Sequence, residues 1–162
     1  MVRILFGDRI LVKQVKGFRP LSELISGATF SKYSHAEPIL NEKGDSIDAT
    51  WPRVKRSNID KYFDGRHRVK ILRPIHKMDK SQEAAWLTCC IMKVGKWYNL
   101  WHRNCAGVVY DADRLVGILG LIKQEVFTPQ MYLVFADGGC VFETIFEAEC
   151  PTEEDFKKLV EG

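Results

Sequence analysis

The sequence has no long hydrophobic run. Its longest apolar stretches, LVGILGLI and AAWLTCCIM, fall well short of the roughly 20 apolar residues that a membrane-spanning helix needs. The opening residues, MVRILFGDRI, also lack the apolar centre and the small-residue cleavage site of a secretory signal. These absences lead us to expect a cytoplasmic protein without a transmembrane segment.

An excess of one charge sign is missing as well. The 162 residues include 24 Lys and Arg against 21 Asp and Glu, which leaves a formal net charge of +3. So small an excess does not favour nucleic acid as a partner. Hydrophobic residues make up 46% of the chain and repeats are absent, so we predict one globular domain over residues 1–162.

Closely spaced metal ligands are also absent. None of the five cysteines forms a C-x-x-C pair, and His102 with Cys105 would need further ligands from distant parts of the chain. We therefore predict no metal and no cofactor. Without a secretory signal the compartment is expected to be reducing, so disulfides are not expected. Cys89 and Cys90 lie inside a helical pattern and are interpreted as small core residues.

Helix and strand signals are interspersed along the chain, which predicts an α+β fold. The expected elements are two short strands in 2–13, a helix over 20–26, a β-hairpin over 35–50, a short helix from Asn58 and a strand over 67–74. A strand around CVFETIF and a polar C-terminal helix complete the chain.

Two longer helices carry clear start signals. Asp79 with Gln82 three residues later is a capping box for a helix that stops at Gly95. Asn104, a favoured N-cap residue, opens the second helix. The predicted apolar face of the first comprises Ala84, Leu87, Cys90, Ile91 and Val94. That of the second comprises Cys105, Val108, Val109, Ala112, Leu115, Val116 and Leu119.

The hairpin gathers polar side chains. With a turn over 41–44, Glu37 pairs with Asp48, and both share a face with His35. Glu37 is roughly 6.5–7 Å from His35 by the rise per residue, whereas Asp48 approaches diagonally from the facing strand. The register therefore predicts Asp48 as the partner of His35. Pro38 cannot donate to a ladder, which predicts that its strand lies at a sheet edge.

Cys105 is predicted to lie in the first turn of a helix. Unsatisfied backbone N–H groups and the positive end of the helix dipole favour thiolate over thiol there. A nucleophile also needs a base with an orienting partner, and His35 with Asp48 is such a pair. Each residue has a simpler interpretation too, since Cys105 can pack in a core and the hairpin residues can belong to an exposed face.

The order of these motifs resembles that of the circularly permuted NlpC-type papain-like cysteine hydrolases, and of the YiiX-like group in particular. Ser34-His35 matches the family's base on a strand, and Asp48-Ala49 matches its acid on the next strand. Cys105 matches the nucleophile that opens a helix. The order His, acid, Cys is the reverse of papain's Cys-first order, as the permutation implies.

The resemblance extends over about residues 7–135. Gly95 and Tyr98 in GKWYN match the family's Gly-x-x-Tyr segment before the nucleophile. The resemblance implies a papain-like fold, in which a small antiparallel sheet or half-barrel packs against helices and the nucleophile lies at a helix N-terminus.

Three positions depart from the family's pattern. The family usually has Glu where Asp48 stands, a Ser-Glu pair where Ala106-Gly107 stands, and an apolar run where Glu37-Pro38 stands. The shorter Asp48 requires a closer approach of the strands or Glu37 acting in its place. The backbone N–H of Cys105 is the expected oxyanion donor. The lecithin:retinol acyltransferase-like branch is similar at Asn104-Cys105, but it has a second histidine in place of Asp48.

The resemblance implies a cysteine hydrolase that cleaves an amide bond through a thioester. Cys105 would attack, His35 would transfer the proton and Asp48 would orient His35. An acyltransferase or lipid-ester hydrolase of the lecithin:retinol acyltransferase-like type would use the same groups. A peptide, a peptidoglycan fragment and an acyl lipid therefore stay open as substrates. The other alternative is a binding or structural protein that keeps the fold without catalysis.

Three aromatic residues precede the Cys105 helix. Trp97, Tyr98 and Trp101 are candidates for one wall of the site, and the Tyr98 hydroxyl is a candidate donor to the oxyanion or the substrate. The alternative is that they are ordinary core aromatics at a helix junction. Glu37 completes the candidate residues, as a second acid on the His35 face.

Overall fold

The computed structural model of the chain describes residues 2–17, 32–98, 104–119 and 128–162. The strands are β1 (Arg9–Gln14), β2 (His35–Pro38), β3 (Asp45–Ala49), β4 (Val54–Asn58), β5 (His67–Pro74) and β6 (Phe142–Glu149). The helices are α1 (Lys80–Ile91), α2 (Cys105–Leu115), α3 (Pro129–Asp137) and α4 (Glu153–Glu161), with a 3-10 helix at Ile59–Tyr62. The helix predicted over 20–26 lies outside the described residues.

The strands form two separate antiparallel sheets, so the fold is α+β. One sheet has four strands in the order β2-β1-β5-β6, and the other consists of β3 and β4. Strand β2 lies at the edge of its sheet, which confirms the expectation drawn from Pro38. The strand predicted over 67–74 is confirmed as β5.

The predicted hairpin forms only next to its turn. The Leu40 N–H donates to the Asp45 carbonyl at 2.6 Å, and Ile39 bridges to Ser46, in the predicted register. The prediction of a continuous ladder beyond this point is wrong, because β2 pairs with β1 and β3 pairs with β4. The two arms of the hairpin therefore belong to different sheets.

The N-terminal segment contains one strand, β1, instead of the predicted two. The Ile4 N–H donates to the Leu159 carbonyl of α4 at 2.9 Å, and the Leu5 N–H donates to Asp8 Oδ2 at 2.8 Å. These bonds use the backbone groups that a strand would have needed. Gly7 then takes φ +83°, a conformation that glycine adopts without strain, and turns the chain into β1.

Helix α1 begins as predicted but buries a different face. Asp79 and Gln82 form the expected capping box. The predicted apolar face is confirmed at Cys90 but wrong at Ala84 and Ile91, which are exposed, while Trp86 is buried. The Trp86 indole N–H donates to Asp113 of α2 at 2.7 Å, and this long-range bond fixes the rotation of α1.

Helix α2 is buried on most sides. The Asn104 side chain accepts a hydrogen bond from the Gly107 N–H at 2.6 Å and caps the helix as predicted. The predicted apolar face is confirmed except at Leu115, which is exposed. Val109 packs in the core of the four-stranded sheet and Val108 in that of the two-stranded sheet. The helix thus lies at the junction of the two sheets.

The remaining two helices cover opposite faces of the four-stranded sheet. Tyr132 of α3 packs in the same cluster as Leu11, and Leu159 of α4 packs in the same cluster as Ile10. Neighbouring residues of β1 point to opposite faces, so the sheet is buried on both sides. Among the described residues, no helix has the length and apolar character to cross a bilayer.

Candidate active site

Four elements bring ionisable side chains together at the N-terminus of α2. β2 contributes His35 and Glu37, and β3 contributes Asp48. The 3-10 helix contributes Lys61, and α2 contributes Cys105. The structure therefore brings together the three residues that the resemblance implies as base, acid and nucleophile.

The Cys105 thiol is only 8% exposed and is surrounded by hydrogen-bonding groups. The His35 ring and the backbone N–H groups of Ala36 and Ala106 lie beside the sulfur, which donates a weak hydrogen bond to the Ser34 carbonyl oxygen at 3.9 Å. Burial raises the pKa of the thiol, but the His35 cation and the two N–H donors lower it overall. The surroundings therefore favour a thiolate.

His35 faces both acids through one ring nitrogen. Its Nε2 lies 3.0 Å from Glu37 Oε1 and 3.2 Å from Asp48 Oδ1. Nδ1 is thus the nitrogen left for the Cys105 sulfur. Burial lowers the pKa of His35, but the Cys105 thiolate and the two carboxylates raise it well above the ordinary value. The site is suited to a thiolate–imidazolium pair.

The two acids are not equivalent. Glu37 Oε1 lies in hydrogen-bond geometry to His35 Nε2, whereas Asp48 Oδ1 makes no hydrogen bond to any described residue. The Glu37 carboxylate is fixed by Ser46 Oγ, which donates to Oε2 at 2.5 Å, and by the Tyr62 hydroxyl, which donates to Oε1. The two side chains therefore meet, although a regular strand separates their Cα atoms by roughly 6.5–7 Å.

Both carboxyl groups are held in the ionised form. Burial raises the pKa of Glu37, but His35 and Lys61 lower it overall. Burial likewise raises the pKa of Asp48, and the same two cations lower it well below its usual range. Burial and the neighbouring Glu37 carboxylate raise the pKa of Tyr62, so its hydroxyl stays a donor.

The aromatic candidates differ in position. Burial and the Cys105 thiolate raise the pKa of Tyr98 to about 12, which keeps its hydroxyl protonated near the sulfur. Trp97 is 59% exposed and stacks on the Arg53 guanidinium, whose carbon lies 4.7 Å from the ring centroid. Trp101 lies outside the described residues.

Sequence reasoning missed Lys61, Ser46 and Tyr62. Lys61 resembles any solvated lysine on a short helix, and the partners of Glu37 come from elements that are distant in sequence. One signal was available, because a glutamate at the centre of a covered strand needs a cation or hydrogen-bond donors.

The fold and the site together define a class, an α+β protein with small antiparallel sheets and a thiol, an imidazole and two carboxylates at a helix N-terminus. No protein-family model and no curated protein matches the chain. Among solved structures, it is similar to the crystal structure of metalloprotein yiiX from Escherichia coli O157:H7, DUF1105. The TM-score is 0.56 at 17% sequence identity, over 90% of each chain. The chain therefore has a YiiX-like fold.

Proposed function

We propose that this chain is a cysteine hydrolase that cleaves an amide bond, as in a peptide or a peptidoglycan stem. The proposal rests on one observation. The buried Cys105 thiol lies beside the His35 ring, whose Nε2 is 3.0 Å from Glu37 Oε1 and 3.2 Å from Asp48 Oδ1. The resemblance to the permuted NlpC-type papain-like hydrolases and the YiiX-like fold support the proposal.

In the first half of the reaction, the Cys105 thiolate forms a bond to the amide carbonyl carbon. The resulting oxyanion is stabilised by the Cys105 backbone N–H, with the Tyr98 hydroxyl as the second candidate donor. The C–N bond then breaks as the His35 imidazolium gives its proton to the leaving amine. The product of this half is a thioester on Cys105 and a free amine.

In the second half, neutral His35 accepts a proton from water as the water oxygen attacks the thioester carbon. The C–S bond breaks and the carboxylic acid leaves. The thiolate and the imidazolium are then restored. Glu37 and Asp48 stabilise the imidazolium and hold the ring in the orientation that both halves need.

Acyl transfer to another nucleophile and hydrolysis of a lipid ester would proceed through the same thioester. These alternatives are distinguished by incubating the protein with a peptide amide, a peptidoglycan stem peptide or an acyl lipid. We expect intact-mass analysis to detect the acyl group on Cys105 with one of the amides. Acylation by the lipid alone would favour the lipid-ester alternative, and transfer to an added acceptor instead of water would favour the acyltransferase.

The E. coli protein is described as a metalloprotein, which raises the question of a metal in this chain. The only described group of possible ligands is His35, Glu37 and Asp48, whose ligand atoms lie within 4.8 Å of one another. Glu37 Oε1, however, is already in contact with three donors, from His35, Tyr62 and Lys61. With these donors in place, the residues do not fit a metal ion, and the proposed reaction uses none.

The proposal is tested by alkylating the protein with iodoacetamide across pH and mapping the five cysteines by mass. Because the pKa of Cys105 is lowered, its thiolate persists below pH ~7, where an unperturbed thiol of pKa ~8.5 is mostly protonated. We expect Cys105 to react fastest at pH ~6. The exposed Cys140 is the internal reference for reagent activity.

Replacing His35 with Ala removes the cation that lowers the pKa of Cys105. Burial then dominates and raises that pKa, so the reaction at pH ~6 should slow by at least about tenfold. Cys90 should stay unreactive in both proteins, since burial raises the pKa of its thiol well above the ordinary value. Equal rates at all five cysteines, or an unchanged rate at Cys105 in His35→Ala, would contradict the proposal and favour a non-catalytic protein.

A further inference from the structure

Lys61 makes an unusually complete set of contacts for a lysine on a short helix. Its Nζ lies 2.8 Å from Glu37 Oε1 and 2.8 Å from Asp48 Oδ2, and it donates to Ser57 Oγ at 2.7 Å. An ammonium group has three hydrogens: Asp48 and Ser57 accept in hydrogen-bond geometry, and Glu37 completes the set as a close ion pair. The side chain is 32% exposed, and its charged end points inward between the two carboxylates.

Two buried carboxylates on one histidine would repel each other without a cation between them. Without the Lys61 ammonium, a histidine nitrogen and two carboxylates would stand within 4.8 Å of one another. Asp48 Oδ1 has no hydrogen-bond partner among the described residues. Carboxylate oxygens are the usual ligands of a hard divalent cation, and the imidazole nitrogen joins them once it has lost its proton. These residues therefore form a site that requires a positive charge.

We infer that Lys61 is the resident cation of this pocket. Its ammonium takes the place that a divalent metal ion would otherwise occupy, and it positions Glu37 and Asp48 beside His35. The first part of this inference is independent of catalysis, and the second part rests on the proposed function.

Lys55 provides the contrast that shows what an ordinary surface lysine does at the same site. Its Nζ is 3.9 Å from Asp48 Oδ2, and its side chain is 63% exposed. An exposed pair at this distance contributes little to position or stability. Lys55→Met is therefore the matched control for Lys61→Met, since both changes remove one positive charge near Asp48.

The first experiment is a Mn²⁺ titration followed by electron paramagnetic resonance, which detects free hexaaqua Mn²⁺. Mn²⁺ is chosen because it prefers carboxylate ligands to thiolates, so Cys105 does not interfere. We expect K61M to bind one Mn²⁺ with a Kd on the order of 0.1–1 mM, the weak end of protein–cation affinities. Wild type, K55M and K61R should bind at least about tenfold more weakly, since each keeps a cation in the pocket.

The double variants K61M/D48N and K61M/E37Q should lose the Mn²⁺ that K61M binds. A folded K61M that binds no Mn²⁺ would overturn the inference. So would a wild-type protein that binds Mn²⁺ as tightly as K61M and loses it in D48N. If circular dichroism shows that K61M does not fold, K61Q is used in its place. The wild-type titration still tests the inference, because tight Mn²⁺ binding by the wild type would contradict it.

The second experiment tests positioning through the alkylation rate of Cys105, with EDTA present. We expect K61M to slow the reaction about tenfold, K61R to restore most of the rate and K55M to leave it unchanged. A lysine with a merely structural role would leave the rate at Cys105 unchanged in folded K61M. If wild-type Cys105 is itself unreactive, the proposed function fails while the Mn²⁺ result still decides whether Lys61 is the resident cation.

Discussion

At the residue scale, the distinctive feature is that two buried carboxylates face one imidazole nitrogen. A single Nε2 proton can bond to one of them at a time, and the geometry assigns it to Glu37. Asp48 lies close enough at 3.2 Å to stabilise the charge of His35 without receiving that proton. The two acids therefore both contact a nitrogen that a catalytic triad pairs with one acid.

This double contact predicts a synergistic double mutant. Sequence alone predicts a loss for Asp48→Asn and little loss for Glu37→Gln. From the geometry we expect each single change to slow Cys105 alkylation at pH ~6 by about tenfold, because the remaining acid still supports His35. The double variant should lose about 1,000-fold, more than the product of the two. If Asp48→Asn slows the reaction as much as the double variant does, Asp48 alone supports the charge of His35.

At the scale of elements, the cap of α2 connects helix stability to thiol chemistry. Asn104→Ala removes the bond to the Gly107 N–H and should cost about 1 kcal/mol of unfolding free energy, measured by urea denaturation. The first turn of α2 should then hold Cys105 less firmly at the positive end of the helix. We expect alkylation of Cys105 to slow roughly two- to fivefold, the size of a helix-dipole effect.

The control for this prediction is the cap of a remote helix. Thr152 is the N-cap residue of α4, where its hydroxyl and its backbone N–H both donate to Asp155, and α4 packs on the face of the four-stranded sheet that carries Ile10. Thr152→Ala should cost a similar free energy without changing the rate at Cys105. An equal fall in rate in both variants would show that lower stability alone explains the effect of Asn104→Ala.

Elements were predictable where their signals are local. Asp79, Gln82 and Asn104 are caps whose chemistry acts within four residues, so the starts of α1 and α2 follow from sequence. The face of α1 does not, because the partner of Trp86 is 27 residues away in sequence. The pairing of β2 likewise depends on a strand that is distant in sequence, because β2 pairs with β1 and not with β3.

The same distinction applies to the candidate site. Cys105, His35 and Asp48 could be proposed from the sequence because each lies next to a local signal, a helix start or a hairpin arm. Lys61 could not, since its role exists only where the 3-10 helix folds back over the diverging strands. The hydrogen bond between Glu37 and His35 was also missed, because a regular strand would separate the two side chains.

At the scale of the whole molecule, one buried ion pair connects the sheet to three helices. Arg9 of β1 and Asp113 of α2 are both fully buried and form an ion pair. Asp113 also accepts from the Trp86 indole at 2.7 Å and from the Tyr132 hydroxyl at 2.9 Å. The carboxylate thus has donors from β1, α1 and α3.

Asp113→Asn should therefore be among the most destabilising isosteric changes in the described chain. It leaves the buried Arg9 guanidinium without a counter-charge, which costs about 3–5 kcal/mol. Urea denaturation measures the loss. Glu149→Gln, which removes the exposed partner of Arg68, should cost only about 0–1 kcal/mol. Comparable losses in the two variants would mean that burial does not determine how much an ion pair contributes to the free energy of unfolding.

The divergence of β2 and β3 has a consequence for partial unfolding. His35 is carried by the four-stranded sheet and Asp48 by the two-stranded sheet, so the contact between these two residues exists only while the two sheets are docked. Separation of the small sheet needs less free energy than global unfolding. In a urea series, the reaction of Cys105 at pH ~6 should therefore slow by about tenfold, as in Asp48→Asn, before the far-ultraviolet circular dichroism changes. The reactivity of Cys105 would then report separation of the two sheets while each sheet is still folded.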